Sequence, residues 1–141
     1  MTNDVNINLW AVLLGGVASL VIGAIYYHDS VLGKQWKKLA KIDAKRYDKE
    51  VGKLTPIMFL AALLTSFMVA YFAFLYNAYF QGSWIHDATV AAVLLWAGFS
   101  ATTIVLHGVV EQKARQLLYI TLGNRFFTYL ATGLIVGWLH P

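Results

Sequence analysis

Long apolar runs separated by short polar stretches set the pattern of this chain. Four runs exceed the roughly eighteen residues that mark a membrane-spanning helix: residues 7–27, 56–80, 88–110 and 117–139. At about 1.5 Å of rise per residue, each reaches across a hydrocarbon layer of about 30 Å. The pattern predicts an all-α, polytopic membrane protein with four transmembrane helices in one bundle, residues 1–141 forming a single domain. Gln81-Gly82-Ser83 reads as a tight turn, so the second and third helices should be antiparallel neighbours. The first run is expected not to be a cleavable signal, since only Asp4 precedes it as a charge and its apolar core is too long.

The third run carries the most informative polar positions. Trp96, Ser100, Thr103, His107 and Glu111 follow at intervals of four, three, four and four. On a helix of 3.6 residues per turn these side chains stack on one face. Hydrocarbon satisfies no polar group, so this face is expected to turn toward protein or trapped water, with the other helices gathered around it.

Between the first two runs lies a basic segment, residues 28–55. Leu32, Trp36, Leu39, Ile42 and Tyr47 recur there at near-helical spacing, with Lys34, Lys37, Lys38, Lys41 and Lys45 between them. One reading is a short amphipathic helix on the inner leaflet, its Trp36 anchored and its lysines among anionic phospholipid headgroups. The other is a solvated charged loop. Pro56 is expected in the first turn of the second helix, where its missing N–H costs nothing. Gly123-Asn124-Arg125 interrupts the fourth run, which is read as starting near Leu117, with a kink at Gly123 and Arg125 snorkelling back to the headgroups.

Small residues four apart form ridges: Gly15, Ser19 and Gly23; Ala62, Ser66 and Ala70; Gly133 and Gly137. Such ridges let helices approach closely, either within the bundle or as a homo-oligomer seam.

Composition agrees with the membrane reading, with 59% hydrophobic and 13% charged residues against about 45–50% and about 25% in soluble domains. All eleven Lys and Arg fall in two places, Lys34 to Lys53 and Lys113 to Arg125. The positive-inside rule then predicts both termini outside and both basic loops in the cytoplasm. The net charge of +4 is thus explained by topology and anionic lipid, and no nucleic-acid partner is expected. Without cysteine, thiolate chemistry and disulfides are excluded.

Candidate chemistry gathers at the inner ends, with His28, Asp29, His107, Glu111 and Arg125. Arg125 is expected to pair with Glu111 or Asp29, holding two helices in register. The sharper alternative is a polar vestibule floored by Trp96 and lined by Ser100, Thr103, His107, Thr128 and Thr132, serving a small solute or protons. Ser100 and Thr103 also read as hydroxyls bonded back to their own helix. Two histidines on different helices make no recognised metal spacing, so no metal and no cofactor is expected. No phosphate loop, nucleophile elbow or metalloprotease motif occurs.

Gly23-Ala24-Ile25-Tyr26-Tyr27 followed by Gly33-Lys34-Gln35-Trp36 resembles the opening signature of a family of small bacterial membrane proteins, domain of unknown function 1761. Leu95-Trp96-Ala97-Gly98-Phe99 resembles its second signature, and Glu111-x-Lys113 with Gly133-x-x-x-Gly137-Trp138 fits its later part. The chain departs from the pattern at Tyr26, usually Trp, and at Asp29, usually Pro. The resemblance implies four helices in the bacterial inner membrane and no defined reaction. Three function classes follow. The first is a structural or accessory membrane unit that self-associates. The second is a carrier or channel subunit using the polar stripe. The third, an intramembrane enzyme, is least favoured because no acid, base and nucleophile fall together.

Overall fold

The computed structural model describes residues 4–141. Helix α1 covers Leu9–Tyr26, α2 Gly33–Leu39, α3 Ala44–Phe80, α4 Trp84–Leu95, α5 Thr102–Val110 and α6 Arg115–Trp138, with a π-helical segment, Trp96–Ala101, joining α4 to α5. The chain is an all-α, polytopic membrane bundle. Three helical stretches are long and apolar enough to cross a membrane: Leu9–Tyr26, Ala44–Phe80 and Trp84–Val110.

Each boundary has a local cause. Asn8 caps α1, its Oδ1 accepting from Trp10 N at 3.0 Å, while its Nδ2 donates to Leu139 O at 2.7 Å. One side chain thus ties the start of α1 to the end of α6. Asp43 caps α3 by accepting from Lys45 N (3.0 Å) and Arg46 N (3.4 Å). The second long helix therefore begins at Ala44, and Pro56 lies inside it. The expected start at Pro56 is corrected by that cap. The helix absorbs the proline in an exposed stretch, where solvent or headgroups can take up the carbonyl that loses its donor. At 37 residues, α3 is about 55 Å long, well beyond the apolar layer.

Packing rests on small residues. A Cβ on Gly15 would strike Ser66 Oγ and stand 3.0 Å from Thr132 Cγ2, so α1, α3 and α6 meet there with no space for a side chain. Gly16 faces Leu63 in the same way. On the opposite side of α6, Gly133 lies against Ala88 and Ala92, and Gly137 against the backbone of Ile85. Ala11, Val69, Ala70, Ala73, Ala88, Ala91 and Ala92 complete the core. Close approach multiplies dispersion contacts where lipid gives no hydrophobic drive between helices. The ridge residues Gly15, Ser66, Ala70, Gly133 and Gly137 are all buried within the chain. They do not form the exposed seam a homo-oligomer would need.

Helix α6 is continuous through Gly123. That glycine does not break the helix; a Cβ there would come 2.5 Å from Tyr26 Oη, so it makes room for the end of α1.

Gly137→Val should destabilise the bundle by about 1–3 kcal/mol, because the added atoms meet the Ile85 backbone, which cannot yield. Gly23→Ala, with nothing within 4 Å of the new Cβ, should leave stability unchanged. Thermal unfolding in detergent distinguishes them.

Candidate functional site

The third apolar run is where expectation and structure differ most. Its helix widens into a π segment over Trp96–Ala101, which inserts an extra residue into the turn. The residues beyond it are rotated by about 100° relative to an unbroken α-helix. The side chains expected in one interior stripe are therefore divided. Trp96 and Ser100 are half-buried, Trp96 edge-on to Phe126 at 5.0 Å between centroids. Thr103, His107 and Glu111 are exposed, His107 by 64% and Glu111 by 48% of their side chains. No polar stripe on this helix lines the bundle interior. The threonines answer a local need instead: Thr102 Oγ1 donates to Gly98 O (2.7 Å) and Thr103 Oγ1 to Phe99 O (2.6 Å), partnering carbonyls of the widened turn.

At the helix ends beside the basic segments the expected pairing also changes. Glu111 Oε2 lies 2.6 Å from Lys113 Nζ, and its Oε1 is 3.5 Å from His107 Nδ1. Hydrogen bonding and charge from Lys113, then from His107, hold the Glu111 carboxyl below its ordinary pKa. Asp29 pairs with Lys37 at 3.1 Å, and His28 Nδ1 meets Ser30 Oγ at 2.7 Å. Arg125 is exposed and forms no ion pair among the described residues. The Arg125 pair with Glu111 or Asp29 is thus not formed, since a lysine near each in sequence takes the carboxylate. No cluster of three or more metal-ligating side chains exists among the described residues.

The basic segment folds back on the bundle. Trp36 lies between Tyr27 (4.6 Å, rings tilted) and Tyr47 (5.5 Å, edge-on), joining the end of α1 to the start of α3. Lys37, only 12% exposed, reaches Asp29 and also Asp48 at 3.6 Å, with its Nζ 5.2 Å above the Tyr47 ring. The Asp29 bond raises the Lys37 pKa above the ordinary lysine value. Gly33 is required here: its N–H donates to His28 O at 2.9 Å, and a Cβ would strike the Tyr27 carbonyl. Trp36 and Lys37 therefore face protein. Lys34, Lys38, Lys41 and Lys45 remain exposed, Lys45 in the first turn of α3.

Two polar groupings stand out, in which the sequence points to Thr128 and Thr132 but not to Asp87 or Asn124 as buried. At the α3–α4 turn, buried Asp87 accepts from Gly82 N (3.0 Å) and Asn77 Nδ2 (2.8 Å), and its Oδ1 meets His86 Nδ1 at 3.0 Å. Asn77 also donates to Gly82 O at 3.0 Å. By sequence Asp87 resembles any surface charge; its place four residues after the Ser83 cap is the available signal. The second grouping is the buried row Asn124, Thr128 and Thr132 on α6, spaced four apart. Thr132 Oγ1 lies 3.3 Å from Ser19 Oγ and donates to Thr128 O at 2.8 Å. Ser66 Oγ, Trp96 Nε1 and Asn124 Nδ2 are buried without a partner among the described residues.

A bundle tied at one end by side-chain hydrogen bonds and at the other by aromatic contacts and ion pairs, with glycine-tight contacts between, defines a helical membrane protein. The chain belongs to the family described as protein of unknown function (DUF1761), whose model matches residues 10–137. No curated protein and no solved structure matches the chain.

Asp87→Ala should lower the melting temperature in detergent more than Asp4→Ala does, because it strands the Gly82 N–H that Asp87 holds. Lys37→Met should open the α2 corner to protease while Lys38→Met leaves it closed. Alkali should release the same corner. With its folded pKa raised, Lys37 contributes fully below the ordinary lysine pKa, and the contribution fades as pH climbs through the raised value.

Proposed function

We propose that this protein is a structural or accessory unit of the bacterial inner membrane, without a reaction of its own, that self-associates. In this reading α6 is a fourth span and both termini lie outside. The basic segment and the α5–α6 connection lie in the cytoplasm, with Lys34, Lys38, Lys41 and Lys45 among anionic headgroups. Its 24 residues give α6 about 36 Å, and it packs against α1, α3 and α4. The placement of all eleven basic residues supports the orientation.

The observation that carries the reading is how the interior is spent. At its centre, Gly15, Ser66 and Thr132 touch, and the hydroxyls of Ser19, Thr128 and Thr132 bond to one another or to their own helices. The interhelical one, Ser19–Thr132, contributes about 0.6–2 kcal/mol. The third span, which a carrier would need as its pathway, turns Thr103, His107 and Glu111 away from the interior. A vestibule would thereby lack Thr103 and His107, keeping Trp96, Ser100, Thr128 and Thr132.

Single cysteines test this in a chain that has none. Ser83→Cys should react with a membrane-impermeant thiol reagent in whole cells, and Lys49→Cys only after lysis. Ser100→Cys and Thr128→Cys should stay silent from either side. Reaction at both of these would establish a water-filled pathway and overturn the structural reading; reversed labelling at Ser83 and Lys49 would overturn the orientation.

A further inference from the structure

We infer that two copies of this chain meet along the inner half of the third span, on the row Phe99, Thr103, His107 and Glu111. This rests on the self-association proposed above and says where it occurs.

Among the long apolar helices, Trp84–Val110 is the least enclosed, with 11% of its most apolar window buried against 22% for each of the other two. Its inner half packs on α6 through Gly108 and Leu118, and α3 does not cover it. An uncovered helix facing lipid needs only apolar side chains. This one exposes His107 in its last turn, with its Nδ1 3.5 Å from Glu111 Oε1 and its other ring nitrogen without a hydrogen-bond partner among the described residues. At the edge of the apolar layer, a polar protein neighbour suits that nitrogen better than an acyl chain does.

The charges argue for a second copy of the same chain as the occupant. Glu111 and Lys113 lie side by side at the end of the row, so the patch holds acid and base at one depth. In a pair related by a two-fold axis along the membrane normal, equal depths face each other. Each Lys113 can then reach the other copy's Glu111, and the second ring nitrogen of each His107 gains a protein neighbour. Phe99, 68% exposed, supplies the apolar anchor of the seam. Beside it, a Cβ on Gly98 would meet nothing within 4 Å, so a neighbouring backbone can come close. Gly15, Gly133 and Gly137 cannot serve, because they are consumed inside the chain.

The test uses the full-length chain in lipid nanodiscs. The particle mass of the unaltered protein gives its oligomeric state. Leu106→Cys and Val110→Cys, flanking the row, are oxidised and compared with Val21→Cys on the exposed side of α1. The expected result is a dimer mass, with covalent dimer at Leu106→Cys or Val110→Cys at least fivefold above Val21→Cys. His107→Leu should shift the mass toward monomer without lowering the melting temperature. A dimer that crosslinks only at Val21→Cys, or at none of the three, overturns the seam and leaves self-association standing. A monomer overturns both.

Discussion

Gly15, Ser66 and Thr132 bring α1, α3 and α6 into contact at one point, and the rest of the bundle is arranged around that meeting. In an environment without water, helices adhere by contact and by the few hydrogen bonds they exchange. Both require short distances, and only glycine, alanine, serine and threonine allow them. The Ser19–Thr132 contact at 3.3 Å exists because Gly15 lets the two helices close. On the other flank of α6, Gly133 and Gly137 seat α4 by the same means. The core therefore contains no large aromatic side chain; the rings lie at its margins, as with Trp36 between Tyr27 and Tyr47.

Much of this is legible in the sequence. The long apolar runs announce the helices, and the four-residue spacing of small side chains marks the contact faces. What cannot be read are the places where a single local event changes the phase of a helix. Trp96, Ser100, Thr103, His107 and Glu111 form a stripe only if 3.6 residues per turn persist from end to end. The widened turn at Trp96–Ala101 removes that premise. A buried polar row does exist, but on α6, where Asn124 reads by sequence as part of an interruption.

The charged groups show a related limit. An unpaired charge near hydrocarbon is costly, and on that ground Arg125 should meet a carboxylate. Sequence neighbours settle it otherwise: Lys113 reaches Glu111 and Lys37 reaches Asp29, each across a short stretch of chain. Asp87 teaches the converse. Counted only as a charge, it proves to be the buried centre of the α3–α4 turn, where two protein donors and a histidine surround its oxygens.

The length of α3 has a mechanical consequence. A helix of 37 residues gripped by α1, α4 and α6 over its later part extends its opening turns beyond that grip as an arm, with Pro56 near the arm's base. The proline lacks one backbone hydrogen bond, so bending is least resisted there. An arm of about 18 Å swung by about 20° sweeps its tip through about 6 Å. Trp36 and Lys37 join that arm, through Tyr47 and Asp48, to Tyr27 and Asp29 at the end of α1, and so brace it against such a swing.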